Sequence, residues 1–394
     1  YEISCSRVGS EMCIRDRNKP KKIRLLSYQN AHNYGAVLQA YGLQSVLKEH
    51  GYDDVKFINY NPCYLSSRYI PIPLKKIFFS SWNGFRAFIW KLFNYPFLYL
   101  SQKKRNVAIT NSINNLLYQT DKVYISYADF EDENLDCDVL ICGSDQIWNK
   151  NITNEYDSIF FGEGKYYKGR LLSYAPSTEV DTLTSENLLE IAHKLKHFDA
   201  VSVREKPFRD KLEDITHQPI AECIDPTLLA GYKIFDKISS AELGNEKYIL
   251  IYSYSGLDSF AKKLIHGIPN YEKYAIKVLS LGPVGIKEYF RKGVVDYDCS
   301  VEEFVEYFKK ASYVITNSFH GLAFSVLFHK NFYVTFVENK YIRCLSLLKN
   351  IGLENRMLYT DTSYDWSDID YKLVDNKLNE LRDKSLSFLL DNLK

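Results

Sequence analysis

Short apolar runs alternate with helical repeats along nearly the whole chain, and this alternation restricts it to an α/β fold built on mostly parallel sheet. The first unit is Ile23 to Tyr28, a polar loop from Gln29 to Gly35, and then Ala36, Ala40, Leu43 and Leu47 at helical spacing. Gly51 stands where a C-terminal cap glycine belongs, and Val55 to Ile58 is the next strand. Cys137 to Cys142, Leu171 to Tyr174 and Ala200 to Val203 continue the series. Lys206 to Leu212 reads as the helix that follows, and Ile224 to Pro226 as the end of a further strand. Tyr248 to Tyr252 opens a second set, followed by Ala275 to Leu279. Val301, Phe304, Val305, Phe308 and Ala311 mark an amphipathic helix. Tyr313 to Thr316 then reads as a strand, Asn317 to Gly321 as a turn, Leu322 to Phe328 as a helix and Phe332 to Phe336 as a strand. The chain therefore divides into 22–230 and 246–372, with a terminal helix over 373–394 that packs back on the first domain.

A length of 394 residues, 46% of them hydrophobic, suffices for two domains of ordinary size. The formal net charge of +1 argues against a nucleic-acid partner, and no apolar run is long enough to cross a bilayer. Residues 1–17 resemble translated sequencing-adaptor sequence and lack the apolar stretch of a secretory signal, so they are set apart as a non-native leader. Six cysteines remain, scattered and without a C-x-x-C pair. They read as reduced thiols of a cytoplasmic protein, and no Cys/His cluster of metal-site spacing is present. One segment, 62–106, breaks the alternation. It has no Asp or Glu and interleaves eight Lys and Arg with Trp82, Trp90 and many other aromatic and aliphatic residues. It is either a helical insertion with solvated lysines or a segment that faces an anionic lipid surface.

Ligands of open α/β sheets bind beyond the carboxyl ends of the strands, which selects five places. The loop that carries Asn33, Tyr34 and Gly35 enters a helix whose free N–H groups favour an anion, with helix capping as the structural alternative. It lacks the glycine spacing of a dinucleotide or P-loop fingerprint, so NAD and ATP are disfavoured. Gly143, Ser144, Asp145 and Trp148 form a set suited to a sugar, with an indole for stacking and an acid for hydroxyls; a capped helix with Trp148 in the core is the alternative. Arg204 leaves a strand end where a bidentate carboxylate or phosphate contact is natural, or an ion pair with Glu205. Asn317, Ser318, His320 and Gly321 lie between a strand and a helix, a setting for an acid or base at neutral pH. Lys340, with Arg343 one helical turn on, follows another strand; the alternative is a solvated helix face.

These places in order resemble the polysaccharide pyruvyl transferase family. The stretches that carry the resemblance are Asn30 to Tyr41, Cys142 to Asn149, Ser202 to Glu205, Asp225 to Thr227 and Thr316 to Gly321, followed by Phe324 and Lys340. The resemblance implies two facing Rossmann-like domains of the GT-B glycosyltransferase architecture with a cleft between them. It implies phosphoenolpyruvate as co-substrate, with no cofactor, and a glycan acceptor, often lipid-linked, of a bacterial cell-surface or exopolysaccharide precursor. It also implies a cytoplasmic enzyme; the expected peripheral contact with the inner membrane surface comes from the cationic aromatic segment 62–106, not from the resemblance. His320, Arg204 and Lys340 match the family's donor-binding and catalytic positions. Many members carry arginine two residues before the histidine. Here that position is Ser318, with Arg343 as the candidate to replace the charge. The expected chemistry makes His320 the general acid or base, while Arg204 and Lys340 neutralise the donor's carboxylate and phosphate. The alternatives are a GT-B glycosyltransferase that uses a nucleotide sugar and a non-catalytic glycan-binding relative.

Overall fold

The structure, a computed structural model, describes residues 22–69, 84–153, 155–239, 243–254, 256–291, 293–338, 341–359 and 364–394, and for 84–91 the backbone alone. Lys340, residues 1–17 and the stretch with Lys75, Lys76 and Trp82 lie outside the described residues, as do the side chains of Arg86, Trp90 and Lys91.

Strands β1 (Lys22–Leu26), β2 (Asp54–Tyr60), β3 (Gln119–Tyr124), β4 (Val139–Cys142) and β5 (Arg170–Ser173) form one sheet in the order β3-β2-β1-β4-β5, all parallel. The centre is apolar because both faces are covered: all four residues of β4 are buried. A short parallel pair, β6 (Ser202–Val203) and β7 (Ala221–Glu222), extends the sheet beyond β5, with Ser173 and Ser202 exchanging hydrogen bonds across the gap. Strands β8 (Tyr248–Tyr252), β9 (Ala275–Leu279), β10 (Val295–Asp296), β11 (Tyr313–Thr316), β12 (Asn331–Thr335) and β13 (Met357–Leu358) form a second parallel sheet, ordered β10-β9-β8-β11-β12-β13. In both sheets the order reverses beside the first strand, which is the doubly wound pattern. The protein is thus α/β, with two Rossmann-like sheets.

The helices that concern the site are α1 (Tyr34–Glu49), α2 (Gly84–Leu116), α3 (Lys206–Thr216), α4 (Pro226–Ala230), α5 (Val301–Lys310), α6 (Phe319–Leu327), α7 (Tyr341–Ile351) and α8 (Tyr371–Asp391). Two boundaries differ from the sequence reading. The segment Ile224 to Pro226 is not a strand: β7 ends at Glu222, and Pro226 opens α4 with Asp225 as its cap, since the fixed φ of proline suits a first helical turn. The turn expected over Asn317 to Gly321 is cut short, because the Ser318 side chain caps Gly321 N and helix begins at Phe319.

One hydrophobic core runs through both halves. It joins Tyr34, Val37, Leu38 and Leu43 of α1 to Phe304 and Phe308 of α5, Phe324 of α6 and Leu389 of α8. Tyr34 stacks on Phe304 at 4.8 Å and donates to the Cys299 carbonyl at 3.0 Å. Helix α8 clamps α4: Arg382 Nε donates to Leu228 O, and Ser385 Oγ accepts from Ile224 N. Among the described residues no helix is long and apolar enough to cross a membrane. Six cysteines there are unpaired, five of them buried and Cys63 exposed.

Candidate active site between the two sheets

A cleft of about 450 Å³ lies where the loops after β1 and β4 meet those after β8 and β11. These four strands flank the switch point of each sheet, so loops diverge there and leave a crevice. Two hollows of about 630 Å³ are larger, but neither joins the carboxyl ends of both sheets. From the first half the cleft is lined by Tyr28, Asn33, Arg68, Tyr69, Asp145 and Gln146; from the second by Tyr254, Asn317, Ser318, His320 and Arg343.

His320 sits in the first turn of α6, with its ring against the backbone of Gly35 at the start of α1. A methyl group at position 35 would lie 2.0 Å from His320 Nδ1, so only glycine leaves room for the imidazole. Gly35→Val therefore displaces the ring. The expected result is a loss of turnover of ~10²-fold, the scale of an ångström misplacement of a catalytic group. A variant with parental turnover would remove the seat from the account.

His320 Nε2 is buried, has no hydrogen-bond partner and lies 3.8 Å from Asp225 Oδ2. Asp225 is held from three sides. Its Oδ1 accepts from Thr227 N at 2.9 Å and Thr227 Oγ1 at 2.7 Å, and its Oδ2 accepts from Arg204 Nη1 at 2.7 Å. Arg204 Nε donates to Glu205 Oε1 at 2.7 Å, and its guanidinium covers the Phe319 ring at 4.1 Å. Burial holds the His320 imidazole below its ordinary 6.5, against the pull of Asp225 and Asp145. Burial works against the Asp225 carboxylate, yet the charge of His320 when it is protonated, the charge of Arg204 and the Thr227 bonds keep it below the usual range. The cluster thus offers a neutral imidazole backed by a buried carboxylate, an arrangement suited to proton transfer.

Around it, Asn33 Oδ1 caps α1 by accepting from Gly35 N at 2.9 Å. Asn317 Oδ1 accepts from Tyr254 N at 2.9 Å. Asp145 holds a left-handed φ of 73°, and its Oδ1 accepts from Gln146 N. Arg343 on α7 has an unpartnered Nε, whereas Arg68 spends one nitrogen on the carbonyls of Asn151 and Ile152. The cleft thus carries two arginines and a histidine against Asp145 and Glu179.

Several residues expected at the ligand stand behind the wall instead. Trp148 is fully buried, stacks on Phe161 at 5.1 Å and donates to Phe160 O, so it belongs to the core. Tyr34 is buried as a bolt between the halves, bonded to Cys299 and Arg105. Ser144 is consumed by the Ala175 carbonyl, and Gly143 packs its Cα against Tyr174 O at φ 134°. Gly321 allows α6 to approach Thr316. Arg204, expected as a donor ligand, is only 2% exposed and spends Nε on Glu205 and Nη1 on Asp225, so in this structure it braces Asp225, while its Nη2 is buried without a partner. Asn33, Asp145, Asn317, Ser318, His320 and Arg343 do meet in the cleft. Sequence reasoning missed Arg68, Tyr69 and Tyr254. It had Asp225 in view only as part of a motif, although an acid before Pro-Thr is a recognisable cap signal.

Fold and site together define an α/β protein with a polar, histidine-bearing cleft between two doubly wound sheets. The family model of polysaccharide pyruvyl transferase matches residues 33–335, and the chain belongs to that family. A search of curated protein sequences returned no match. Among solved structures, the chain is similar to an uncharacterised protein from Klebsiella pneumoniae subsp. pneumoniae (11% identity, 91% of this chain and 100% of that one, TM-score 0.44). It is also similar to the UDP-GlcNAc 2-epimerase of Methanocaldococcus jannaschii (10%, 92% and 92%, TM-score 0.43). A third is the E. coli heptosyltransferase with ADP-2-deoxy-2-fluoro heptose (10%, 91% and 99%, TM-score 0.35).

Proposed function

We propose that the cleft transfers a pyruvyl group from phosphoenolpyruvate to two hydroxyls of a sugar in a cell-surface or exopolysaccharide precursor, forming a ketal. The acceptor is a glycan carried on a lipid, met at the cytoplasmic face of the membrane. The observation that carries this reading is the buried, unpartnered His320 Nε2 beside Asp225, in a cleft that also holds the partly free Arg343.

The neutral imidazole takes the proton of the attacking hydroxyl as its oxygen bonds to C2 of the donor. A proton enters at C3 and makes the methyl group, and the C2–O bond to phosphate breaks. The second hydroxyl then closes the ring. Of the two hydroxyl protons, one is matched by the new methyl hydrogen and the other leaves with phosphate. Arg343 and Arg68 meet the donor's carboxylate and phosphate, together with Lys340, which the resemblance assigns to the donor, and preorganised cations can supply a large share of catalysis. Asp145, Asn33 and Asn317 are the groups for sugar hydroxyls.

The test is phosphate release from phosphoenolpyruvate by the purified protein, with and without lipid-linked glycan from its host. Glycan-dependent release is the expected outcome. No release, together with thermal stabilisation by a nucleotide sugar, replaces this reading with glycosyl transfer.

A further inference from the structure

Helix α2 wears an outward face opposite to that of a solvated helix. At helical spacing it exposes Leu92, Phe93, Tyr99, Leu100 and Val107, with Lys103 and Lys104 between them. A helix of a water-soluble surface reserves that side for polar groups. Phe93 is 61% exposed. The patch continues onto the second half of the chain. Asn94 Oδ1 accepts from Ile286 N at 3.0 Å, Ser101 Oγ accepts from Val284 N at 3.0 Å, and Phe97 packs on Phe290 at 5.4 Å. Phe290 is itself 72% exposed, the most exposed large apolar residue described, and Lys287 and Arg291 flank it. Lys287 and Arg291 also line a cavity of about 630 Å³ at the carboxyl ends of β8 and β9. That cavity shares Tyr254 and Leu281 with the candidate active cleft.

We propose that this edge, Leu92, Phe93, Leu100 and Phe290 ringed by Lys103, Lys104, Lys287 and Arg291, docks on an anionic lipid bilayer. Charge complementarity selects the occupant: no Asp or Glu occurs across 62–106, and exposed aromatic and aliphatic side chains among cations are the pattern of an interfacial surface. The docked edge brings the bilayer beside a cavity lined by Lys262, Lys287 and Arg291 against Glu288, which borders the cleft at Tyr254 and Leu281. A phosphate-bearing lipid-linked glycan then reaches the site without leaving the membrane. This step rests on the proposed function; the docking surface itself does not.

The experiment is sedimentation of the full chain with vesicles of phosphatidylglycerol and phosphatidylcholine, against vesicles of phosphatidylcholine alone. The parent protein binds the anionic vesicles at low ionic strength and loses most of that binding in high salt. The double variant Phe93→Ser/Phe290→Ser binds at least ~10-fold more weakly, given the apolar area withdrawn from the interface. Its phosphate release with a water-soluble acceptor fragment stays at the parental level. Absence of parental binding overturns the proposal, as does equal binding by the double variant. A dimer that dissociates in the variant without any vesicle binding assigns the patch to a second copy and overturns it too. The soluble-acceptor assay reads the catalytic reading alone and sedimentation reads the surface alone, so the two fail separately.

Discussion

His320→Ala turns over at least ~10²-fold more slowly than the parent while its folding is retained. The imidazole lies on the cleft wall, and α6 keeps its Ser318 cap without it, so the loss falls on chemistry. The pH profile carries the sign of the mechanism. In the proposed mechanism His320 acts as the neutral base, and burial holds it below its ordinary 6.5, so kcat/KM is expected to fall only as pH drops below that value. Asp225 pulls the imidazole upward, and Asp225→Asn removes that pull. The acidic limb therefore moves to still lower pH. Kinetics of the two variants from pH 5 to 8 decide the matter; His320→Ala at parental rate, or an acidic limb indifferent to Asp225→Asn, would end the role assigned to His320.

Arg204→Met destabilises the protein by ~3–5 kcal/mol, the range for removal of one partner from a buried charge cluster. Glu205 and Asp225 have side chains 1% and 0% exposed, and Arg204 is their shared cation. Without it two buried carboxylates lose the cation they share, and one is expected to take a proton. An arginine that bound the donor directly would behave in the opposite way: its loss would raise KM for phosphoenolpyruvate and leave the unfolding midpoint near its parental value. Thermal unfolding beside KM separates these two roles, and an unchanged midpoint would return Arg204 to the cleft.

The most legible strands are the most covered ones. Tyr248–Tyr252 and Tyr313–Thr316 coincide with their apolar runs because a covered parallel strand has little polar face to blur the pattern, and Ala275–Leu279 coincides too although its first three residues are only half-buried. Gln119–Tyr124 was invisible for the converse reason. It is an edge strand, and Asp121, Lys122 and Val123 face solvent. Val295–Asp296 and Met357–Leu358 are too short to show a period.

The site followed the same division. Asn33, Asp145, Ser318 and His320 were legible as cleft residues because the loops after strands line the crevice, although Asn33, Asp145 and Ser318 also spend side-chain oxygens on backbone N–H groups. Trp148 was misjudged because an indole near a strand end serves sugar stacking and core packing equally well, and its neighbours Phe160 and Phe161 arrive only in the tertiary structure. Arg204 showed its partner Glu205 in sequence, but Asp225, which closes the cluster, lies 21 positions on. Arg68 and Tyr69 come from the basic insertion, whose role in the cleft no local pattern announces.

The core that passes through α1, α5, α6 and α8 has a consequence for cooperativity. The boundary between the sheets divides topology, not stability. Neither half can shed the other without exposing Tyr34, Phe304 and Leu389 together, so the halves melt as one unit and a chain severed near residue 240 keeps neither. The cleft is accordingly walled by two sheets that share one core, and Gly35 and His320 already meet across it without a swing of one half against the other.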